Sequence, residues 1–224
     1  MTGPKRAPES ADPARSDGRR RRGDKARAAI LARAVEVASI EGLEGLTIGG
    51  LAAGVGTGKA NISILFGNKE ALQLATLDAA GDIFVKQVVK PALRSASHLD
   101  RLRQLTDGWF RYVDRRTLPG GCMMYGSMNE YRARPGALQD GVRRQRDAWM
   151  RLLAATIREA QKGGEIRRDL DPAQLVFELT AFQSAANAAA LLGDRATFAR
   201  ARRTAKERIN AVAVSGKTST EKTS

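Results

Sequence analysis

Apolar residues recur at helical spacing along nearly the whole chain, and no stretch alternates long enough to mark a strand. From Asp24 onward Ile30, Ala34, Val37 and Ala38 form one stripe, widened by Leu31 and Val35. Lys25, Arg27, Arg33 and Glu36 fill polar positions between them. Asp24 is placed to cap this helix and Gly42 to end it. Two short apolar runs follow. Behind Thr47, a capping residue, Ile48, Leu51 and Ala52 share a face; after Gly54, Gly56 and Gly58, Ile62 and Phe66 share another. Short helix, glycine turn, short helix is the pattern of a helix-turn-helix, here over 47–66.

Asn68 is placed to cap a connecting helix with Leu72, Ala75, Ala79 and Ile83 on one face, continued by Val85, Val88 and Val89 toward Pro91. The remainder also reads as helices. His98 to Arg116 carries Leu99, Leu102, Leu105, Trp109, Phe110 and Val113, and Leu118-Pro119-Gly120-Gly121 breaks it. Cys122 to Tyr131 is short and rich in sulfur and aromatic residues. Ala137 to Gln161 is a long amphipathic segment, and Ala173 to Leu192 is apolar nearly all round. Arg195 to Val212 closes the pattern. The expected fold is all-α: an N-terminal three-helix helix-turn-helix domain over 24–80, joined by a connector helix to a larger helical domain over 81–214, which the family resemblance given below makes a ligand-binding and dimerisation domain. Residues 1–23 and 215–224 read as disordered tails, the first holding the run Arg19 to Arg22.

Charge adds a partner. The 224 residues carry 38 Lys and Arg against 24 Asp and Glu, a net +14 that favours polyanions, nucleic acid before membrane surfaces. A single cysteine, Cys122, rules out an internal disulfide. A single histidine, His98, argues against a histidine metal centre or a Ser-His-Asp relay, so no catalytic residue, metal or cofactor is expected. No apolar run is long enough to span a bilayer and no apolar segment follows the N-terminal arginines, so a cytoplasmic protein without membrane partners is expected.

The glycines admit a rival. Ala53 to Ala60 resembles a phosphate loop, which would make the chain an NTP-binding enzyme using Gly54–Lys59. The first glycine of that motif is Ala53, however, and its magnesium-holding Ser or Thr is Ala60. A phosphate loop also follows a buried strand, and Ile48 to Ala53 reads as a helix. A non-specific basic DNA-binding protein is the other alternative.

Leu46-Thr47, Ile48-Gly49-Gly50-Leu51-Ala52, Gly56, Lys59, Ile62 and Phe66-Gly67-Asn68-Lys69-Glu70-Ala71-Leu72 together resemble the TetR (tetracycline-repressor) family of transcriptional regulators. The likeness covers about 24–80. Leu72-Gln73-Leu74-Ala75-Thr76-Leu77, Pro119-Gly120-Gly121-Cys122, Arg134-Pro135-Gly136 and Gln174-Leu175-Val176-Phe177-Glu178-Leu179 extend it more loosely. The resemblance implies a homodimer, formed through the two C-terminal helices, that binds a double-stranded DNA operator. It implies a repressor that releases its operator when a small-molecule effector, largely apolar, enters the C-terminal domain. It places Thr47 near a phosphate, Thr57, Gly58, Lys59, Ala60, Asn61 and Ser63 at the recognition helix, and Lys69 beside the DNA backbone. Many members carry an aromatic residue where this chain has Ser63, a histidine where it has Leu65, and Ser where it has Gly58. Trp109, Met123, Tyr125 and Phe177 are the effector-pocket candidates. Gln183 and Asn187 are placed to bond a ligand or one another across a dimer. Cys122 reads as a buried small residue or an oxidation sensor.

Overall fold

A computed structural model describes residues 13–214, with side chains described at 21 and from 23 onward. The expected tails over 1–12 and 215–224 therefore lie outside the described residues, as do the side chains of Arg19, Arg20 and Arg22. Among the described residues the chain is helical, with one isolated antiparallel bridge between Ile166 and Ala213.

The first helix, α1, runs Pro13–Glu41. It opens well before Asp24, which lies inside it instead of capping it, and so corrects the expected tail boundary. Pro13 stands in the first turn, where its missing N–H costs nothing, and arginine and alanine are strong helix formers. These outweigh Gly18 and Gly23, each about 1 kcal/mol less favourable than alanine in a helix interior. Helices α2 (Ile48–Gly54) and α3 (Lys59–Phe66) follow. Ile30, Ala34, Val35 and Ala38 of α1 are buried, as are Leu43, Leu46, Leu51, Ile62 and Phe66. These residues and Leu72 supply the small core of the three-helix unit.

Helix α4 (Lys69–Phe84) carries the chain away from this unit. The sequence pattern continues it as an α-helix to Pro91, but Val85–Val89 instead form a π-helical turn before a last α turn, α5 (Lys90–Ala92). Pro91 has no N–H to complete an α-helical bond to Gln87, and Lys90 donates instead to the Val85 carbonyl, one residue further back. The larger domain is built from α6 (His98–Asp114), α7 (Met123–Glu130), α8 (Ala137–Lys162), α9 (Pro172–Leu191) and α10 (Arg195–Val212). Trp109, Phe110, Leu102, Leu105, Leu153, Ile157, Leu175 and Leu179 are fully buried between them. No helix among the described residues is long and apolar enough to cross a membrane.

Candidate DNA interface and effector cavity

Thr47 caps α2, its hydroxyl accepting from the Gly50 N–H at 3.0 Å. The turn then needs Gly56, at φ +67, a left-handed conformation that a side chain would strain. Thr57 N donates to the Ala52 carbonyl at 2.9 Å and so brings the chain back over the end of α2. Helix α3 anchors itself through Ile62 and Phe66 and turns Lys59, Ala60, Asn61, Ser63 and Ile64 to solvent. Ile64 is 81% exposed, an apolar side chain with no packing role in the monomer. Asn61 Nδ2 donates to Thr57 Oγ1 at 3.0 Å, which sets the amide at the N-terminal end of α3. The seven candidates from Thr47 to Ser63 are thus gathered on one helix-turn-helix, with α2, not a strand, ahead of the glycines.

Two features of this unit carry no periodic signal in the sequence. Arg27 of α1 lies over the Phe66 ring, 4.3 Å from its centroid, and donates to the Leu65 carbonyl at 2.8 Å. It clamps the C-terminal end of α3 by a cation–π contact and a charge-assisted bond. Lys69, the remaining candidate, turns its ammonium to the Glu44 carbonyl at 2.9 Å and to Glu44 Oε2 at 3.1 Å. That bond, with the Tyr131 hydroxyl on Glu44 Oε1, holds the Glu44 carboxyl below its ordinary value of 4.5.

Glu44 belongs to the joint between the domains. Glu130, the last residue of α7, accepts the Leu43 N–H at 2.9 Å and the Glu44 N–H at 2.8 Å. Gln73 of α4 donates to the Leu43 carbonyl at 2.8 Å, and Gly120 N donates to Ser39 Oγ at 3.1 Å. The segment between α1 and α2 is thus held from α4, from α7 and from the loop before α7.

The opposite end of α7 lines a cavity of about 420 Å³. Its wall includes Met123 and Met124 of α7, Phe84 and Val85 at the π-helical turn, Tyr112 of α6, and Trp149 and Leu152 of α8. Phe84 packs edge-on against Tyr112 and Trp149, with ring centroids 5.5 and 5.1 Å apart. Of the four expected pocket residues, Met123 is in this wall. Trp109 is fully buried against Phe110 and Tyr125. Tyr125 donates to the Thr180 carbonyl at 3.1 Å, and Phe177 is 63% exposed on the outer side of α9. Tyr125 and Phe177 line instead a shallow groove of about 190 Å³ with Met124, Met128 and Met150.

The remaining candidates have structural partners. Gln183 Oε1 accepts from Trp149 Nε1 at 3.0 Å and lies 3.2 Å from the Tyr125 hydroxyl. Asn187 Oδ1 accepts the Cys122 N–H at 2.8 Å. Cys122 is a buried free thiol whose pKa burial pushes up, so it is held as the unreactive thiol. Among the described residues no group of three or more His, Cys, Asp or Glu side chains is placed to hold a metal.

Comparison with known proteins gives this arrangement a known fold. Residues 98–205 match the model of the tetracyclin repressor-like C-terminal domain. No curated protein sequence matches the chain. A TetR transcriptional regulator from Chloroflexus aurantiacus J-10-FL is similar in structure, with a TM-score of 0.80 and 24% identity over 87% of this chain and 100% of its own. A transcriptional regulator from Saccharomonospora viridis, solved in complex with choline, has a TM-score of 0.71 and 23% identity over 86% of this chain and 100% of its own. AibR, solved with isovaleryl coenzyme A and operator DNA, has a TM-score of 0.64 and 21% identity over 83% of this chain and 97% of its own. Residues 98–205 thus match a tetracyclin repressor-like C-terminal domain, a helix-turn-helix stands ahead of them, and over most of the chain the fold is that of the TetR transcriptional regulators it is similar to.

Proposed function

We propose that the chain is a ligand-responsive DNA-binding regulator that acts as a homodimer and releases its operator when a small molecule fills the 420 Å³ cavity. The observation that carries this reading is the double role of α4 and α7. Each lines the cavity at one end and holds the helix-turn-helix at the other, α4 through Gln73 and α7 through Glu130. A ligand that binds better to a spread wall shifts the population toward a displaced helix-turn-helix. Repression is the direction the family most often takes.

Helix α3 supplies the DNA contacts. Lys59 neutralises phosphate, Asn61 reads a base edge in the major groove, and Ile64 and Ala60 offer apolar contact to a thymine methyl. Ser63 retains a hydrogen-bond donor. Leu65 is half-buried and packs against the core, so it adds no phosphate contact.

Dimerisation is supported by the outer face of α9. Phe177, Ala181, Ser184, Ala185, Ala188 and Leu192 are exposed at helical spacing, Leu192 at 85%. An apolar stripe of small residues permits close helix packing about a twofold axis, with α10 alongside. The S. viridis relative with choline and AibR with isovaleryl coenzyme A and operator DNA support the pairing of a ligand site with DNA binding. The test is competition at fixed salt between DNA enriched from a random pool and unselected DNA. Lys59→Ala should weaken binding to both. Asn61→Ala should erode the preference between them. Equal affinity for selected and unselected DNA would leave a non-specific basic binder. Saturable, magnesium-dependent nucleotide binding lost on Lys59→Ala would restore the phosphate-loop reading.

A further inference from the structure

We infer that the cavity beside the π-helical turn selects an amphipathic cation, an apolar body bearing one positive group. The inference rests on the reading of that cavity as the effector site and names the chemistry it takes.

The charges of the wall run against the composition of the chain. Lys and Arg number 38 and Asp and Glu 24, yet the charged residues lining the cavity are Asp78 and Asp82, and no cation is among them. The two aspartates stand one helical turn apart on α4 with Gly81 between them, on the face that closes the cavity. Both are exposed. Among the described residues neither closes an ion pair, although Lys86 stands four residues beyond Asp82. Like charges at this spacing repel and weaken a helix, and aspartate is a poor helix former. A bound cation removes that repulsion.

The interior of the cavity points the same way. Phe84, Tyr112 and Trp149 are the aromatic residues of the wall, and an aromatic ring that is free on one face accepts a cation there and disfavours an anion. Tyr112 lines the cavity with only 4% of its surface exposed, and among the described residues its hydroxyl closes no hydrogen bond and keeps contact with solvent. A polar group on the occupant can meet it there. Met123, Leu152 and Val89 supply the apolar contact for the remainder of the ligand. A carboxylate ligand would face two aspartates and no counter-ion. A plain hydrocarbon would leave the tyrosine hydroxyl and both carboxylates without use.

The test is isothermal titration calorimetry of the full chain with octylammonium, octanoate and 1-octanol, which share one alkyl chain and differ in charge. The measurements are made at constant salt below aggregation of the probes. Octylammonium should bind at least about tenfold tighter than octanoate or 1-octanol, a difference of about 1.4 kcal/mol. The double variant Asp78→Asn, Asp82→Asn should bring the three affinities together while keeping the 1-octanol affinity and a thermal midpoint no lower than that of the parent chain. Octanoate or 1-octanol binding as tightly as the cation would overturn the inference and leave the effector reading standing. A preference for the cation that survives in the double variant would overturn it as well. Failure of all three probes to bind would overturn the inference and the effector reading together.

Discussion

Replacing Glu130 tests how the larger helical domain holds the helix-turn-helix. Its carboxylate accepts two backbone N–H groups, from Leu43 and Glu44, at 2.9 and 2.8 Å. A hydrogen bond to a charged group contributes about 1.5–3 kcal/mol when well buried. Glu130 is half-exposed, and the freed amides regain water, so the pair is worth about 2 kcal/mol in total. Glu130→Ala should then lower the thermal midpoint by about 4–8 °C for a chain of this size. It should also reduce hydrogen-exchange protection at the Leu43 and Glu44 amides by more than about tenfold. Glu130→Gln keeps one acceptor and should cost about half as much. Amide exchange resolved by residue, with calorimetry alongside, checks all of this. Unchanged protection at both amides in Glu130→Ala would mean that the Glu130 bonds hold nothing in place.

Other predictions follow from single contacts. Thr47→Ala removes the α2 cap and should cost about 1 kcal/mol in chemical denaturation, with Thr47→Ser restoring most of it; no loss would mean that the cap is idle. Ala188→Glu places a charge in the exposed α9 stripe and should give a monomer in sedimentation velocity that has lost most of its DNA affinity; a persistent dimer would place the interface elsewhere. The Glu44 carboxyl sits below its ordinary value of 4.5 because Lys69 and Tyr131 donate to it. Its contribution is complete above about pH 4.5 and is lost as pH falls through the lowered folded value. Glu44→Gln should therefore flatten the acid limb of the stability curve, and an unchanged limb would remove Glu44 from the joint.

The helices and the helix-turn-helix were legible because each depends on local spacing. Ile62 and Phe66 fix which side of α3 is inward, and so which residues face out. The start of α1 was not legible, because a run of polar helix formers with no apolar stripe reads equally as a tail. The π-helical turn was not legible either: Val85, Val88 and Val89 keep an acceptable α-helical pattern, and the register changes at Pro91. The cavity was the least legible feature. Trp109 and Trp149 look alike in an amphipathic segment, and only the packing of α4 against α6 and α8 decides which one meets empty space. The same holds for Tyr112 and Tyr125. The joint through Glu130 and Glu44 links residues far apart in the chain, and no periodicity announces such a pair. Arg27 reads as one polar position among several until Phe66 is brought beneath it.

Whether α3 reads DNA sequence from both halves of a dimer is measured by selecting bound fragments from a random double-stranded pool with the full-length chain. An enriched inverted repeat is expected, its half-sites about one helical turn, roughly 34 Å, or a multiple of it apart. Asn61→Ala should change the preferred bases and leave the spacing intact. Recovery of fragments with no common sequence, or of a single half-site bound equally well alone, would contradict that reading of DNA by a dimer.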